Sequence, residues 1–168
     1  MLVATFYGDH EQHPPSIDLF LRFGKKDACC GAHSLAEVYA TLTGMPGKRR
    51  VSGDEALLFL GDIRERLTLV ALGAQEYFQM AEASAAGGLA SGAIYDALLA
   101  HCALKAKAEV IYTWNTKDFL RLSPAIAGRV KNPDPRPQTD VADDGYKAET
   151  LPARPHPLLH AHSGTEES

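Results

Sequence analysis

Glu109-Val110-Ile111-Tyr112-Thr113-Trp114-Asn115-Thr116-Lys117-Asp118-Phe119 is the stretch on which the fold turns. Its first six residues are rich in β-branched and aromatic side chains, the composition of a packed strand. Asn115 and Thr116 then break the pattern and predict a turn into a short helix carrying Asp118 and Phe119. Just upstream, residues 94–106 read as a helix, and residues 67–72 and 28–32 read as two further strands. Helical stretches separate these runs. Ser34-Leu35-Ala36-Glu37 and Ser52-Gly53-Asp54-Glu55 both have capping-box spacing, Pro14-Pro15 suits the start of a helix over 16–23, and Gly87-Gly88 ends one over 74–86. Strands alternating with helices predict an α/β fold with a parallel sheet covered on both faces.

The remaining composition sets limits. A chain of 168 residues suits one domain with its own core. No apolar run approaches the ~18 residues of a membrane span, and the short apolar start lacks the basic flank of a signal peptide. A cytoplasmic protein without a membrane partner is the expectation. Cys29, Cys30 and Cys102 form an odd set without a C-x-x-C and read as small buried hydrophobes. The formal charge of −4 argues against a broad nucleic-acid-binding surface but leaves room for a nuclease with a metal-loaded acidic pocket. One dense basic cluster, Lys48-Arg49-Arg50, is either a solvated loop or a contact for a phosphate backbone. From Asn132 onward the chain loses apolar periodicity, so the predicted organisation is a domain over 1–130 and a disordered tail over 131–168. His156, His160 and His162 in that tail offer only adventitious metal binding.

Asp96 is the residue hardest to place structurally. It sits in Gly92-Ala93-Ile94-Tyr95-Asp96-Ala97-Leu98-Leu99-Ala100, with Leu99, Ala100 and Ala103 as apolar neighbours along the helix. Burying a lone carboxylate costs several kcal/mol or drives it neutral. Such a residue calls for a cation, a partner or a water-filled cleft, unless the helix turns it to solvent. In α/β sheets, sites form at the carboxyl ends of strands. Glu37 follows the strand at 28–32, Asn115 and Asp118 follow the strand at 109–114, and Asp96 lies on the helix leading into the latter. Clustered carboxylates suit Mg²⁺ or Mn²⁺, which orient and activate water. Each residue also has a plainer reading. Glu37 fits the third position of a capping box, Asn115 an ordinary turn, and Asp118 the first turn of a helix. His33 and His101 read as satisfied polar contacts or as substrate contacts. There is no phosphate-binding Gly-rich loop, G-x-S-x-G elbow, H-E-x-x-H or paired C-x-x-C.

Three segments, Ala32 through Tyr39, Gly92 through Leu98 and Tyr112 through Phe119, resemble the PIN-domain ribonucleases, especially the VapC-type toxins of toxin–antitoxin pairs. The resemblance runs over about residues 1–130. It implies a three-layer α/β/α fold with a central parallel sheet and Mg²⁺- or Mn²⁺-dependent hydrolysis of RNA. Glu37, Asp96 and Asp118 would be the catalytic and metal-binding acids, Asn115 would contribute beside Asp118, and Thr113 would shape that edge. Lys48, Arg49 and Arg50 would help hold the RNA strand. The resemblance further implies a cognate antitoxin and a homodimer.

Members of that family open with a hydrophobic strand ending in Asp-Thr/Ser-Asn/Ser, followed by an apolar helix. Here Met1 through Tyr7 resembles that helix, and Asp9 sits in a loop after it. The expectation is therefore a sheet without its central strand and a site without one principal acid. Two functional readings follow. One is an endoribonuclease; the other is a non-catalytic PIN-like protein that binds RNA or an antitoxin partner.

Overall fold

A computed structural model of the chain describes residues 1–89 and 92–134. The expected tail, with His156, His160 and His162, lies outside the described residues, apart from its first few positions. The element order is α1 (Leu2–Phe6), α2 (His13–Arg22), β1 (Cys29–Gly31), α3 (Ser34–Gly44), a 3₁₀ turn (Gly47–Arg49), α4 (Gly53–Arg66), β2 (Thr68–Val70), α5 (Ala74–Ala86), α6 (Ala93–Lys105), β3 (Ile111–Tyr112), α7 (Thr116–Leu120), α8 (Pro124–Ala127) and β4 (Val130–Lys131). Strands alternating with helices make this an α/β protein, and among the described residues both strand pairs are parallel.

Local chemistry explains the helix ends. Ser52 caps α4, its hydroxyl accepting from the Glu55 N–H at 3.1 Å. Ser123 caps α8 in the same way, with Pro124 at the first helical position. Glu76 reaches back to the Gly73 N–H at 2.6 Å and also takes Lys105 Nζ at 2.6 Å, pinning the start of α5 to the end of α6. The Ser34 box does not form. His33 is the N-cap of α3, Ser34 is already inside the helix and buried, and no side-chain cap bond is made. The helix starts one residue earlier than the box requires, so its geometry is unavailable to Glu37.

The strands form two separate pairs. In one, Cys29, Cys30 and Gly31 lie opposite Thr68, Leu69 and Val70; in the other, Ile111 and Tyr112 lie opposite Val130 and Lys131. The strand predicted over 109–114 pairs over two residues only, and α8 and β4 were not predicted. The expected boundary after residue 130 falls within β4. The core divides as the sheet does. Phe20, Val38, Leu42, Ile63 and Leu67 form one cluster; Ala100, Phe119 and Ile126 form another.

Residues of β1, β2 and β3 all line one cavity of about 1080 Å³, together with Leu19, Phe20 and Leu99. On β1, the bonds to β2 use Ala28, Cys30 and Ala32; the Thr68 N–H donates to Ala28 and the Ala32 N–H to Val70. The N–H and C=O groups of Cys29 and Gly31 point to the opposite edge, as alternation along a strand requires. On β3, the Ile111 and Thr113 N–H groups donate to Arg129 and Lys131 across the β4 pairing, leaving Val110 and Tyr112 directed to the other edge.

Candidate active site

Asp96 lies near the start of its helix, as the reading of residues 94–106 implies. It occupies the first turn of α6, where the unpaired N–H groups and the helix dipole favour a carboxylate, and it is half-buried. Its Oδ2 accepts from Asn115 Nδ2 at 2.8 Å. Burial pushes its carboxyl above the usual range, the charge of Asp118 adds to the rise, the Asn115 bond opposes it, and Glu37 contributes a further push.

Glu37 stands in the first turn of α3, and burial raises its carboxyl as well. The Met1 ammonium offsets part of that rise, and it exerts the same pull on Asp96. Burial in turn lowers the Met1 ammonium, while Glu37 and Asp96 hold it up. Asp118, in the first turn of α7, is more open and has Arg121 at 3.9 Å, a loose surface pairing. Three carboxylates from three helices therefore share one electrostatic neighbourhood, with the Met1 ammonium among them. No sequence signal pointed to Met1, because its place beside α3 and α6 is a long-range packing result.

Hard carboxylate oxygens that repel one another are the donor chemistry a divalent cation satisfies. Their spacing is looser than a protein-made cage. Among the described residues, no group of three or more His, Cys, Asp and Glu side chains is close enough to hold a metal ion. The set fits a Mg²⁺-like ion in its water-rich mode, with one or two carboxylates and the rest water.

The other expected residues divide. The Thr113 hydroxyl is buried and accepts from the Asn115 N–H at 3.0 Å, so it shapes the turn. Asn115 faces Asp96 and is exposed. Lys48, Arg49 and Arg50 are exposed and line a different cavity of about 270 Å³, with Phe6, Tyr7, Val51 and Phe59. No hydrogen bond or ion pair among the described residues joins them to the three acids.

His33 is not the satisfied contact the sequence suggested. Its Nε2 is buried with no hydrogen-bond partner, and burial lowers its pKa. The ring lies over Gly31, where an added Cβ would stand 2.6 Å from Cε1. His101 belongs with Glu76, whose carboxyl is lowered first by the Gly73 N–H and then by Lys105, with a smaller contribution from His101. The cysteines behave as packing groups: burial raises all three thiols, Cys30 to about 12, which suppresses thiolate chemistry.

An α/β unit of parallel strands with acids gathered at the starts of α3, α6 and α7 is the class these observations define. The PIN domain family model matches residues 1–123, and the chain belongs to that family. PIN domains are generally nucleases and typically use divalent metal ions. Comparison with curated proteins returns no match. No described helix is long and apolar enough to cross a membrane.

Proposed function

We propose that the chain is a metal-dependent endoribonuclease of the VapC type, the toxin of a toxin–antitoxin pair. The observation that carries this reading is Asp96, fixed by Asn115 at 2.8 Å and crowded by the charges of Asp118 and Glu37. Of Glu37, Asp96 and Asp118, one or two would bind Mg²⁺ or Mn²⁺ directly and the remainder through water; when bound, the ion supplies charge that activates water and stabilises the phosphodiester as it is cleaved. Asn115 keeps one Asp96 oxygen oriented and leaves the other free. Lys48, Arg49 and Arg50 hold the RNA backbone away from the acids. Exposed Leu57 and Leu58 on α4 give apolar surface for an antitoxin or a second copy.

The same reading includes a three-layer architecture around one parallel sheet, completed by one further strand between β1 and β3. The split core, the shared cavity and the outward-directed backbone of Cys29, Gly31, Val110 and Tyr112 support it. In this family such a strand brings a further acid to the site.

The test is RNA cleavage with Mg²⁺ or Mn²⁺ by the wild type and Asp96→Asn. Metal-dependent cleavage lost in the variant supports the reading; equal cleavage by both removes Asp96 from the chemistry. The second reading, a PIN-like protein that binds RNA or an antitoxin without cutting, is favoured by the loose spacing of the acids. Mn²⁺ titration separates the two. Stoichiometric binding lost in Glu37→Gln and Asp96→Asn belongs to the enzyme, and absent binding with retained partner binding belongs to the second reading.

A further inference from the structure

Trp114, the single tryptophan of the chain, stands between two residues that shape the site, Thr113 and Asn115. Its indole Nε1–H donates to the Ser16 hydroxyl at 2.9 Å, across 98 positions of sequence. Ser16 is fully buried on α2. A second contact repeats the pairing, since the Phe23 ring, next to the end of α2, lies 6.1 Å from the Tyr112 ring. Tyr112 and Trp114 are two apart and share one face of an extended strand; Ser16 and Phe23 are seven apart, about two helical turns. The register of β3 against α2 is thus set twice. Thr113 and Ile111 alternate to the other face, where Ile111 joins the cluster around Phe119 and the Thr113 hydroxyl takes the Asn115 N–H.

Asn115 itself is exposed, so its own packing does not hold it against Asp96. Its position comes from the flanking anchors, Thr113 and Trp114 on one side and Phe119, 1% exposed, on the other. A partly buried indole with a buried partner has few alternative rotamers, whereas a hydrogen bond between half-exposed side chains has many.

We propose that Trp114 is a positioning residue, latched to Ser16 so that the 113–118 turn presents Asn115 to Asp96 and Asp118 beside it. The proposal rests on the metal-site reading for its functional meaning, but the latch itself is observable without metal.

Three variants test it. Trp114→Phe removes the donor, Ser16→Ala removes the acceptor, and Ser84→Ala removes a buried hydroxyl on α5 that bonds Met80 Sδ at 3.5 Å and has no hydrogen bond to the turn. The first readout is the Asn115 side-chain amide pair in ¹⁵N-correlated spectra. The second is Mn²⁺ affinity by calorimetry. The expected result is a shifted, faster-exchanging Asn115 amide pair and Mn²⁺ affinity weaker by about five-fold in Trp114→Phe and Ser16→Ala, the size of one net hydrogen bond. The double variant should be no worse than either single one, and Ser84→Ala should match the wild type. An unmoved Asn115 amide in both latch variants overturns the proposal, and so does an equal change in Ser84→Ala. If the wild type binds no Mn²⁺, the metal reading fails and the amide readout alone decides the latch.

Discussion

Asn115 Nδ2 donates to Asp96 Oδ2 at 2.8 Å, joining the turn after β3 to the first turn of α6. This bond satisfies one carboxylate oxygen and leaves the carboxylate short of positive charge. Burial and the neighbouring Asp118 and Glu37 all disfavour its ionised form.

Removing that charge should stabilise the apoprotein. Asp96→Asn keeps an oxygen acceptor for Asn115 and eliminates the repulsion, so Tm at pH 7 is expected to rise by about 2–5 °C, the usual reward for relaxing a functional site. The same variant should lose the Tm increase that millimolar Mn²⁺ gives the wild type. Differential scanning fluorimetry with and without Mn²⁺ reads both effects; a lower Tm for the variant would contradict the account.

The pH dependence has a definite sign. Glu37 and Asp96 both have folded-state pKa values above their unfolded ones. For such carboxyls the folded state binds more protons, so their stabilising contribution is complete below the unfolded pKa and is lost as pH rises through the folded pKa. Denaturant melts from pH 7 down through the carboxylate range should show a local gain in stability on acidification. The gain should shrink in the Glu37→Gln, Asp96→Asn double variant.

Gly31 is required by its neighbour. An added Cβ would press on the His33 ring at 2.6 Å, and Cys102 Sγ at 3.4 Å closes the other side. Gly31→Ala should therefore cost about 1–3 kcal/mol, the range for overpacking. Adding His33→Ala should restore much of the loss in urea melts, because it clears the clash and removes a buried nitrogen that has no partner.

The gap between the half-sheets is open to a direct experiment. Fusing an extended apolar strand ahead of Met1, which lines the shared cavity, should raise Tm by at least about 5 °C, since each well-buried side chain contributes ~1.5–3 kcal/mol. A control strand with two prolines lacks ladder donors and should not. Equal stability of the two fusions would mean that the cavity does not accept a strand.

The basic triplet makes a separate prediction. If Lys48, Arg49 and Arg50 hold RNA, charge reversal at all three should weaken RNA binding on the order of tenfold at low salt and flatten its salt dependence by about 2 in slope. Mn²⁺ affinity should stay unchanged, because the triplet lines a different cavity from Glu37. Fluorescence anisotropy with a labelled single strand, read across a salt series, checks this.

The sequence by itself determined the longer helices and the parallel α/β character. Periodicity and turn residues are local signals: α5 has the bounds read for it, and α6 is shifted by one residue from the helix read over 94–106. It also placed Glu37, Asp96, Asn115 and Asp118 in one region, because ligands in such folds gather where strands give way to helices. It failed where the outcome depended on which neighbour won. Ser34 had the spacing of a cap, yet tertiary packing buried it inside α3, and the predicted six-residue strand at 109–114 pairs over only two residues because its ladder partner is the short β4. Only the tertiary structure decided that Asn115 holds Asp96, that the Met1 ammonium sits among the acids, and that Trp114 is held by Ser16. Each is a contact between chain segments far apart in sequence, and contacts of that kind are set by packing and shared fields rather than by spacing along the chain.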